Sequence, residues 1–352
     1  MKSMILFLVM VVLPMTVFGQ ISGLSDWDIC LDPGHSRIEN MGIYGYSEAE
    51  KNVRVALNLK EMLSNETDID TVYMTRSNDQ QLVGLTQRST YANAVGATWF
   101  HSLHSDAGGP ESNSTLLLWG QYNTGLEKIP NGGNAMSDIM IEHLTNGMRT
   151  YTVHGSIGDC SFYGCGDWRG PYLSVNRNTL MPSELSEAGF HTNPIQNQLN
   201  MNDDWKRLEA RTFFWSILDF HEIPRPLVRI LTGIIKDADS GLPINGAEIV
   251  VNDSVYVTDT YESLFYKYSS DPDFLRNGFY YFEGLEGDTV DVYVYAPGFY
   301  RDTLRVTMID DFFTFQDIEL VSNELPIVEY TFPVDGDPSF SGYSNLGAGP
   351  GF

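Results

Sequence analysis

The sequence predicts an α/β fold, with a mostly parallel sheet flanked by helices, followed by a small all-β sandwich. Between Trp27 and Phe220, short apolar runs typical of buried strands alternate with longer segments of helical period. Beyond Pro226, short β-rich runs are separated by turn signals such as Asn245-Gly246 and show no helical pattern. A chain of 352 residues is long enough for two such domains.

The α/β part is built from apolar strands that end at turn residues and from helices with a buried stripe. The first strand ends at Pro33-Gly34, and the helix that follows carries Val53, Ala56 and Leu59 at helical spacing. In chain order, strands are expected at residues 28–33, 71–74, 97–104, 115–119 and 182–188, and helices at 47–63, 85–95, 135–148 and 205–220.

The β-rich part shows strand patterns at residues 228–235, 247–251, 279–282, 289–295, 304–308 and 312–320. We therefore predict an α/β domain at 20–223 and a β-sandwich at 227–322. Residues 323–352 are rich in Pro and Gly, which indicates a linker or the start of an incomplete further module. We expect the α/β domain to fold without the parts that follow it.

The first 19 residues have the pattern of a secretory signal peptide. Lys2 gives a positive start, an almost unbroken apolar run follows from Met4 to Val17, and Gly19 is a small residue suited to cleavage. The run is short for a membrane span and lacks a basic flank on its far side. We expect a secreted or periplasmic protein without a transmembrane segment after cleavage.

The charge of the chain limits its partners. The formal net charge is −25, so polyphosphate would be repelled and a general nucleic-acid binder is excluded. Three cysteines are too few for a disulfide scaffold. Cys160 and Cys165 are nevertheless expected to form a disulfide, because export leads to an oxidising compartment and the short loop between them contains Gly164. Cys30 lies in a core strand and is expected to stay a thiol.

Ionisable side chains follow or end three of the predicted strands. His35 comes after the first strand, His104 ends the third, and Glu187 lies near the end of the last strand. Because sites form where the carboxyl ends of strands meet, these groups should lie together. Two imidazoles and a carboxylate suit Zn²⁺ with an open position for water.

Two glutamates compete for the role of carboxylate ligand. Ser47 and Glu50 have the spacing of a capping box, in which Glu50 folds back on the backbone of the helix start. Glu48, at the first helical position, is then able to point toward the sheet edge. We favour Glu48 and keep Glu50 as the alternative.

From Asp28 to Phe220 the chain resembles the zinc-dependent N-acetylmuramoyl-L-alanine amidases of the Amidase_3 family. The resemblance rests on motifs that agree in order and spacing: Leu31-Asp-Pro-Gly-His35, Glu48 with Asn52 and the apolar residues after it, Thr75-Arg76 with Asp79, Leu85 with Arg88, Ala92-Asn93, Ser102-Leu-His104, and Pro182 through Asn193. It implies that His35, Glu48 and His104 bind zinc and that Glu187 is the catalytic carboxylate. It also implies an enzyme that acts on peptidoglycan or muropeptides. We expect the protein to be a monomer.

Some positions depart from the family pattern. Ser36 replaces the usual Gly after the first His, and Ser105-Asp106 replaces Ala-Asn after the second. Asp106 either tunes the metal from outside its ligand shell or faces solvent. The segment 154–168 is more elaborate than the family requires, and Trp168-Arg169 either lines the groove or packs. Two other functions stay open: an inactive amidase-like protein that binds cell-wall fragments, and a zinc hydrolase of another amide.

The β-rich part is similar to the carboxypeptidase regulatory-like domains. The similarity rests on Leu231-Thr-Gly-Ile-Ile-Lys-Asp237, on Gly241 through Val250, and on the later Phe279–Phe282 and Ala296–Tyr300 segments. It implies a transthyretin-like or immunoglobulin-like sandwich of seven strands that carries no chemistry of its own.

Overall fold

The computed structural model describes residues 20–259 and 276–323. The predicted signal peptide and nearly all of the predicted segment 323–352 lie outside the described residues. Among the helices in the described ranges, none combines the length and the apolar character that a membrane span requires.

The α/β part contains a six-stranded mixed sheet in the order β2-β1-β3-β6-β4-β5. Four of its five pairings are parallel, and β4 runs antiparallel to β6. A mostly parallel sheet was the prediction, and it is confirmed. The strands are β1 (Asp28–Pro33), β2 (Thr71–Met74), β3 (Trp99–Asp106), β4 (Ser114–Trp119), β5 (Thr152–Gly158) and β6 (Ser183–Phe190).

Helices cover both faces of this sheet. They are α1 (Glu48–Glu66), α2 (Leu85–Val95), α3 (Gly133–Gly147), α4 (Asp159–Tyr163), α5 (Ser174–Asn178), α6 (Pro194–Met201) and α7 (Asp203–Phe220). Because successive strand residues face opposite sides, Leu31 packs in the core with α1, α3 and α7, whereas Cys30 packs with α2 and α5. The short elements β5, α4, α5 and α6 were not among the predicted ones.

Local sequence explains where α1 begins. Ser47 Oγ accepts a hydrogen bond from Glu50 N at 3.2 Å, and the Glu50 carboxylate accepts one from Ser47 N at 3.4 Å. This is the capping box expected from the spacing. Glu50 is thereby committed to the helix start, and Glu48 is the first helical residue.

The C-terminal part forms two four-stranded sheets around a core of its own. One contains β10-β7-β13 with β14 also paired to β7, and the other has the order β12-β11-β8-β9. The strand β9 was not predicted. The strands are β7 (Ile230–Asp237), β8 (Glu248–Val251), β9 (Ser254–Val257), β10 (Phe279–Glu283), β11 (Thr289–Tyr295), β12 (Asp302–Thr307), β13 (Phe313–Phe315) and β14 (Ile318–Leu320).

Helix α7 packs against both parts of the chain. Trp205 lies edge-on to Phe279 with ring centroids 5.2 Å apart, and the centroid of Trp215 is 4.7 Å from that of Phe313. The buried guanidinium of Arg211 pairs with Glu66 of α1 and with Glu283 of β10. The hydrophobic core under α7 is therefore continuous across the predicted boundary.

Candidate active site

His35 lies in a loop with an unusual backbone after β1. Its φ is +57°, and Asn40 in the same loop has φ +53°, a region that residues other than glycine rarely adopt. Arg88 of α2 holds the loop by donating to the carbonyl of His35 at 2.7 Å, while it pairs with buried Asp32 at 2.7 Å. Strain kept in place by such contacts is typical of functional sites.

Glu48 lies between the two histidines and is 1 % exposed. Its Oε1 is 2.9 Å from His104 Nδ1, and its Oε2 is 3.3 Å from His35 Nε2. Asn40 donates to Oε2 at 2.7 Å, and Asn52, one helical turn on, donates to Oε1 at 3.2 Å. The geometry brings Glu48, and not Glu50, to the histidines.

His104 ends up beside Glu48 because Gly34 leaves room for its ring. A Cβ atom at position 34 would lie 2.2 to 2.6 Å from three ring atoms of His104. The backbone N–H of Ser105 also donates to Glu48 Oε1 at 3.0 Å. The loop at Gly34 therefore fixes the position of the His104 ring, and the backbone of Ser105 fixes that of the Glu48 carboxylate.

Ligand atoms of His35, Glu48 and His104 lie within 4.8 Å of one another, the arrangement of a possible metal site. Two nitrogens and one carboxylate oxygen form a donor set that fits Zn²⁺. Burial lowers the pKa of His35; Glu48 opposes this shift, and the neighbouring His104 adds to it. A neutral imidazole is the form that binds metals.

Glu187 lies directly beside His104 in the paired strands β6 and β3. Among the described residues, its buried Oε2 has no hydrogen-bond partner. Burial raises the pKa of Glu187 well above its ordinary value, and the negative charges of Glu48 and Asp106 raise it further. An unpartnered oxygen and clustered carboxylates fit a position beside a cation, which would relieve their repulsion.

Glu48 differs from Glu187 in its surroundings. Burial alone would raise the pKa of Glu48, but the hydrogen bond with His104 and the nearby charges of His104, His35 and His191 hold it well below its usual range. Glu48 is therefore ionised and Glu187 is biased toward the protonated form. Two carboxyl groups whose environments shift their pKa values in opposite directions commonly have different roles in an active site.

Residues 29–217 match the model of the Amidase_3 family, described as N-acetylmuramoyl-L-alanine amidase. The chain belongs to this amidase family.

Two curated relatives support the same assignment. An N-acetylmuramoyl-L-alanine amidase, CwlM, of Bacillus licheniformis is 30 % identical over 201 residues, covering 55 % of this chain and 65 % of the relative. A sporulation-specific N-acetylmuramoyl-L-alanine amidase of Bacillus subtilis (strain 168) is 36 % identical over 197 residues, covering 55 % of this chain and 64 % of the relative. The match thus spans slightly less than two thirds of the length of each relative.

Solved structures of similar proteins include the catalytic domain of the amidase CwlV from Bacillus (Paenibacillus) polymyxa var. colistinus. It is 22 % identical, with a TM-score of 0.45 over 56 % of this chain and 99 % of that one. An N-acetylmuramoyl-L-alanine amidase from Clostridium difficile 630 is 21 % identical, with a TM-score of 0.47 over 56 % and 97 % of the two chains.

Several residues around the amidase site were not foreseen from the sequence. Asn40 contacts both His35 and Glu48, and buried His191 lies 3.7 Å from Glu48 Oε2 with its ring on the Ser105 carbonyl. Lys51 Nζ lies 3.4 Å from the His104 carbonyl oxygen and pairs with buried Glu209 at 2.6 Å. The contacts of Lys51 and His191 join segments far apart in the chain, so local sequence patterns do not predict them, whereas Asn40 lies within eight residues of both its partners.

His101, Arg76 and Asp106 make contacts within the fold of the amidase. His101 points away from His104 and pairs with buried Glu184 at 2.8 Å. Arg76 donates to the Pro33, Gly34 and Ala49 carbonyls under the His35 loop. Asp106 is half-buried, and its carboxylate accepts a hydrogen bond from Ala107 N at 2.7 Å.

The three cysteines are arranged as predicted. Cys160 and Cys165 form a disulfide, and Cys30 is a buried thiol. The segment closed by this disulfide leads to one side of a cleft of about 1160 Å³ that contains His35 and His104. Trp168 and Tyr172 line this cleft.

Proposed function

We propose that the protein is a zinc-dependent N-acetylmuramoyl-L-alanine amidase. It hydrolyses the amide bond between the lactyl group of N-acetylmuramic acid and the L-alanine of the stem peptide. The observation that carries the proposal is the convergence of His35, Glu48 and His104 beside Glu187, whose buried oxygen has no described partner. Membership of the amidase family supports the reaction class.

His35, Glu48 and His104 would hold the zinc. A zinc ion bound by three protein ligands polarises a substrate carbonyl and acidifies its water. Around these ligands, Asn40 and Ser105 donate to the two oxygens of Glu48 and fix its orientation. Changing such outer contacts commonly lowers metal affinity or activity by about 10- to 100-fold.

Glu187 is the proposed general base. Its side chain lies beside the metal cluster in a half-buried position, where it accepts a proton from the attacking water and returns it to the leaving amine. Burial and the charges of Glu48 and Asp106 raise the pKa of Glu187, which favours its accepting a proton that it then returns to the leaving amine.

We also propose export of a monomeric enzyme to the cell envelope, supported by the signal-like pattern of residues 1–19. The proposed domain boundaries are 20–223 and 227–322, with a linker or incomplete module from 323. The second domain is proposed to be carboxypeptidase regulatory-like, which its two sheets with a core of their own support.

Incubation of the purified protein with defined muropeptides, followed by mass spectrometry, tests the reaction. We expect a free peptide beginning with L-alanine and a glycan that keeps its lactyl group. Cleavage at a different amide would assign another substrate. Bound zinc without any product would indicate a cell-wall binding protein.

A further inference from the structure

Three aromatic side chains project from the disulfide loop and from the residues that follow it. Tyr163, Trp168 and Tyr172, here called the aromatic wall, are 44 %, 46 % and 40 % exposed. The rings of Tyr163 and Tyr172 are stacked with centroids 4.5 Å apart, and Trp168 lies edge-on to Tyr172 at 6.3 Å. Clustered, exposed aromatic faces of this kind mark binding surfaces more often than chance.

The aromatic wall adjoins the candidate active site. Trp168 and Tyr172 line the same cleft of about 1160 Å³ as His35 and His104. Burial raises the pKa of Tyr163 to about 12, with a further contribution from the charges of Glu187 and Asp106. The cleft therefore reaches from the two histidines to Trp168 and Tyr172.

The aromatic wall is fixed in place before any ligand binds. The Cys160–Cys165 disulfide closes its base, and buried Asp159 accepts hydrogen bonds from Leu173 N at 3.0 Å and from Asn176 at 3.2 Å. A Cβ at Gly170 would lie 2.3 Å from Cys160 Sγ, so the chain crosses the disulfide at close range. A preformed surface binds without paying the entropy of ordering its side chains.

Two arginines beside the aromatic wall make contacts within the protein. The Arg177 guanidinium lies 4.4 Å from the Trp168 ring centroid and donates to the carbonyls of Pro171 and Tyr172 at 3.0 and 2.8 Å. Arg169 lies over the Tyr122 ring at 5.5 Å. The Arg177 guanidinium is thus taken up by the backbone and by one face of Trp168, and the exposed remainder of the aromatic wall is uncharged. An uncharged ring with an apolar face is the matching ligand.

We infer that the aromatic wall is a carbohydrate subsite that stacks against sugar rings of the glycan strand. The inference rests on the proposed function, which brings a glycan-linked amide to the metal cluster. The aromatic wall would then favour substrates that still carry their glycan over the same peptide on a bare lactyl group. The segment 154–168, which contains Tyr163 and Trp168, is more elaborate than the family pattern, and this accords with an added subsite.

Calorimetry with the β-1,4-linked tetramer of N-acetylglucosamine tests the subsite directly. This probe contains no scissile amide, so its binding does not depend on hydrolysis. We expect the full chain to bind it and Trp168→Ala to bind it about ten-fold more weakly, the effect of losing a central tryptophan contact. Trp168→Phe keeps an aromatic face and should retain most of the affinity.

Tyr300→Ala is the matched control, because Tyr300 is a 62 % exposed aromatic residue of the β-rich part. Equal binding by Trp168→Ala and the wild type, or no binding by the wild type, would overturn the subsite. Weaker binding by Trp168→Ala of a stem peptide beginning with L-alanine, with the tetramer unaffected, would assign the aromatic wall to the peptide instead. Tetramer binding through Trp168 without hydrolysis of muropeptides would refute the proposed function and keep the subsite.

Discussion

Gly34→Ala adds one methyl group beneath the His104 ring and should weaken zinc binding at the proposed site formed by His35, Glu48 and His104. The new Cβ would lie 2.2, 2.3 and 2.6 Å from Cε1, Nε2 and Nδ1 of His104. Carbon atoms in contact are normally about 3.5–4.0 Å apart, so the ring must move by roughly 1 Å or more. The hydrogen bond from His104 Nδ1 to Glu48 is 2.9 Å long and would be broken by that movement.

The expected result is a zinc affinity about 10- to 100-fold lower, the range found when groups that orient metal ligands are changed. Competition with a chromogenic chelator measures the affinity, and circular dichroism checks that the fold persists. Gly109→Ala is the control, because the nearest atom to its added Cβ would be 3.9 Å away.

Wild-type zinc affinity in Gly34→Ala would refute this reasoning, since His104 could not then be a ligand in the position described. Combination with His104→Ala gives a second check. Two changes that act on one ligand should not be additive, so the double variant should bind zinc no more weakly than His104→Ala alone.

Three further predictions concern the same cluster. Metal removal by a chelator should abolish hydrolysis, and added zinc should restore it; full activity of metal-free protein would contradict the mechanism. Glu187→Gln should keep zinc and fold but lose about 10²–10⁴ in rate in a muropeptide assay, because an amide cannot accept the proton; normal turnover would point to another base, with Asp106 next. Glu48→Ala should release zinc, whereas Glu50→Ala should lower helix stability by about 0.5–2 kcal/mol in thermal unfolding, as loss of a cap does. If Glu50→Ala lost more zinc than Glu48→Ala, Glu50 and not Glu48 would be the metal ligand.

Local features of the fold were predictable from the sequence. The capping box that starts α1 consists of contacts within four residues. It also indicated Glu48 rather than Glu50 as the metal ligand, because Glu50 bonds to the helix start. The Cys160–Cys165 pair is equally local. The strands with continuous apolar runs, such as β1 and β3, agree with the predicted ranges within two residues.

Features that depend on distant contacts were not predictable. The reversed direction of β4 against β6 depends on the path of the chain through residues 107–113, and a strand pattern has no direction. The strand β5 lacks a continuous apolar run because His154, Gly155 and Ser156 interrupt it. Helix α6 has a recognisable start at Asn193-Pro194, but its short length gave no periodic stripe.

The boundary between the two parts of the chain is the point on which structure and sequence differ most. The change of composition at Pro226 suggests that the α/β part folds alone. The packing of α7 indicates that the α/β part depends on the β-rich part. Phe279 and Phe313 of the β-rich part are each 1 % exposed and pack on the two tryptophans of α7. Ile230 of β7 belongs to the same core.

Deletion of residues 226–352 should therefore destabilise the α/β part and leave it prone to aggregate. Each large side chain that leaves the core removes about 1.5–3 kcal/mol of burial, and total stabilities are only about 5–15 kcal/mol. Glu283, one of the two carboxylates paired with buried Arg211, is lost as well. Thermal unfolding and gel filtration measure the effect, with a chain ending at Asn323 as control because it keeps every contact described for α7. A fragment 20–225 that unfolds at the temperature of the longer chain would show that the α7 contacts add nothing. A fragment that unfolds earlier but regains zinc binding at low temperature would show that the β-rich part acts on the site only through the stability of α7.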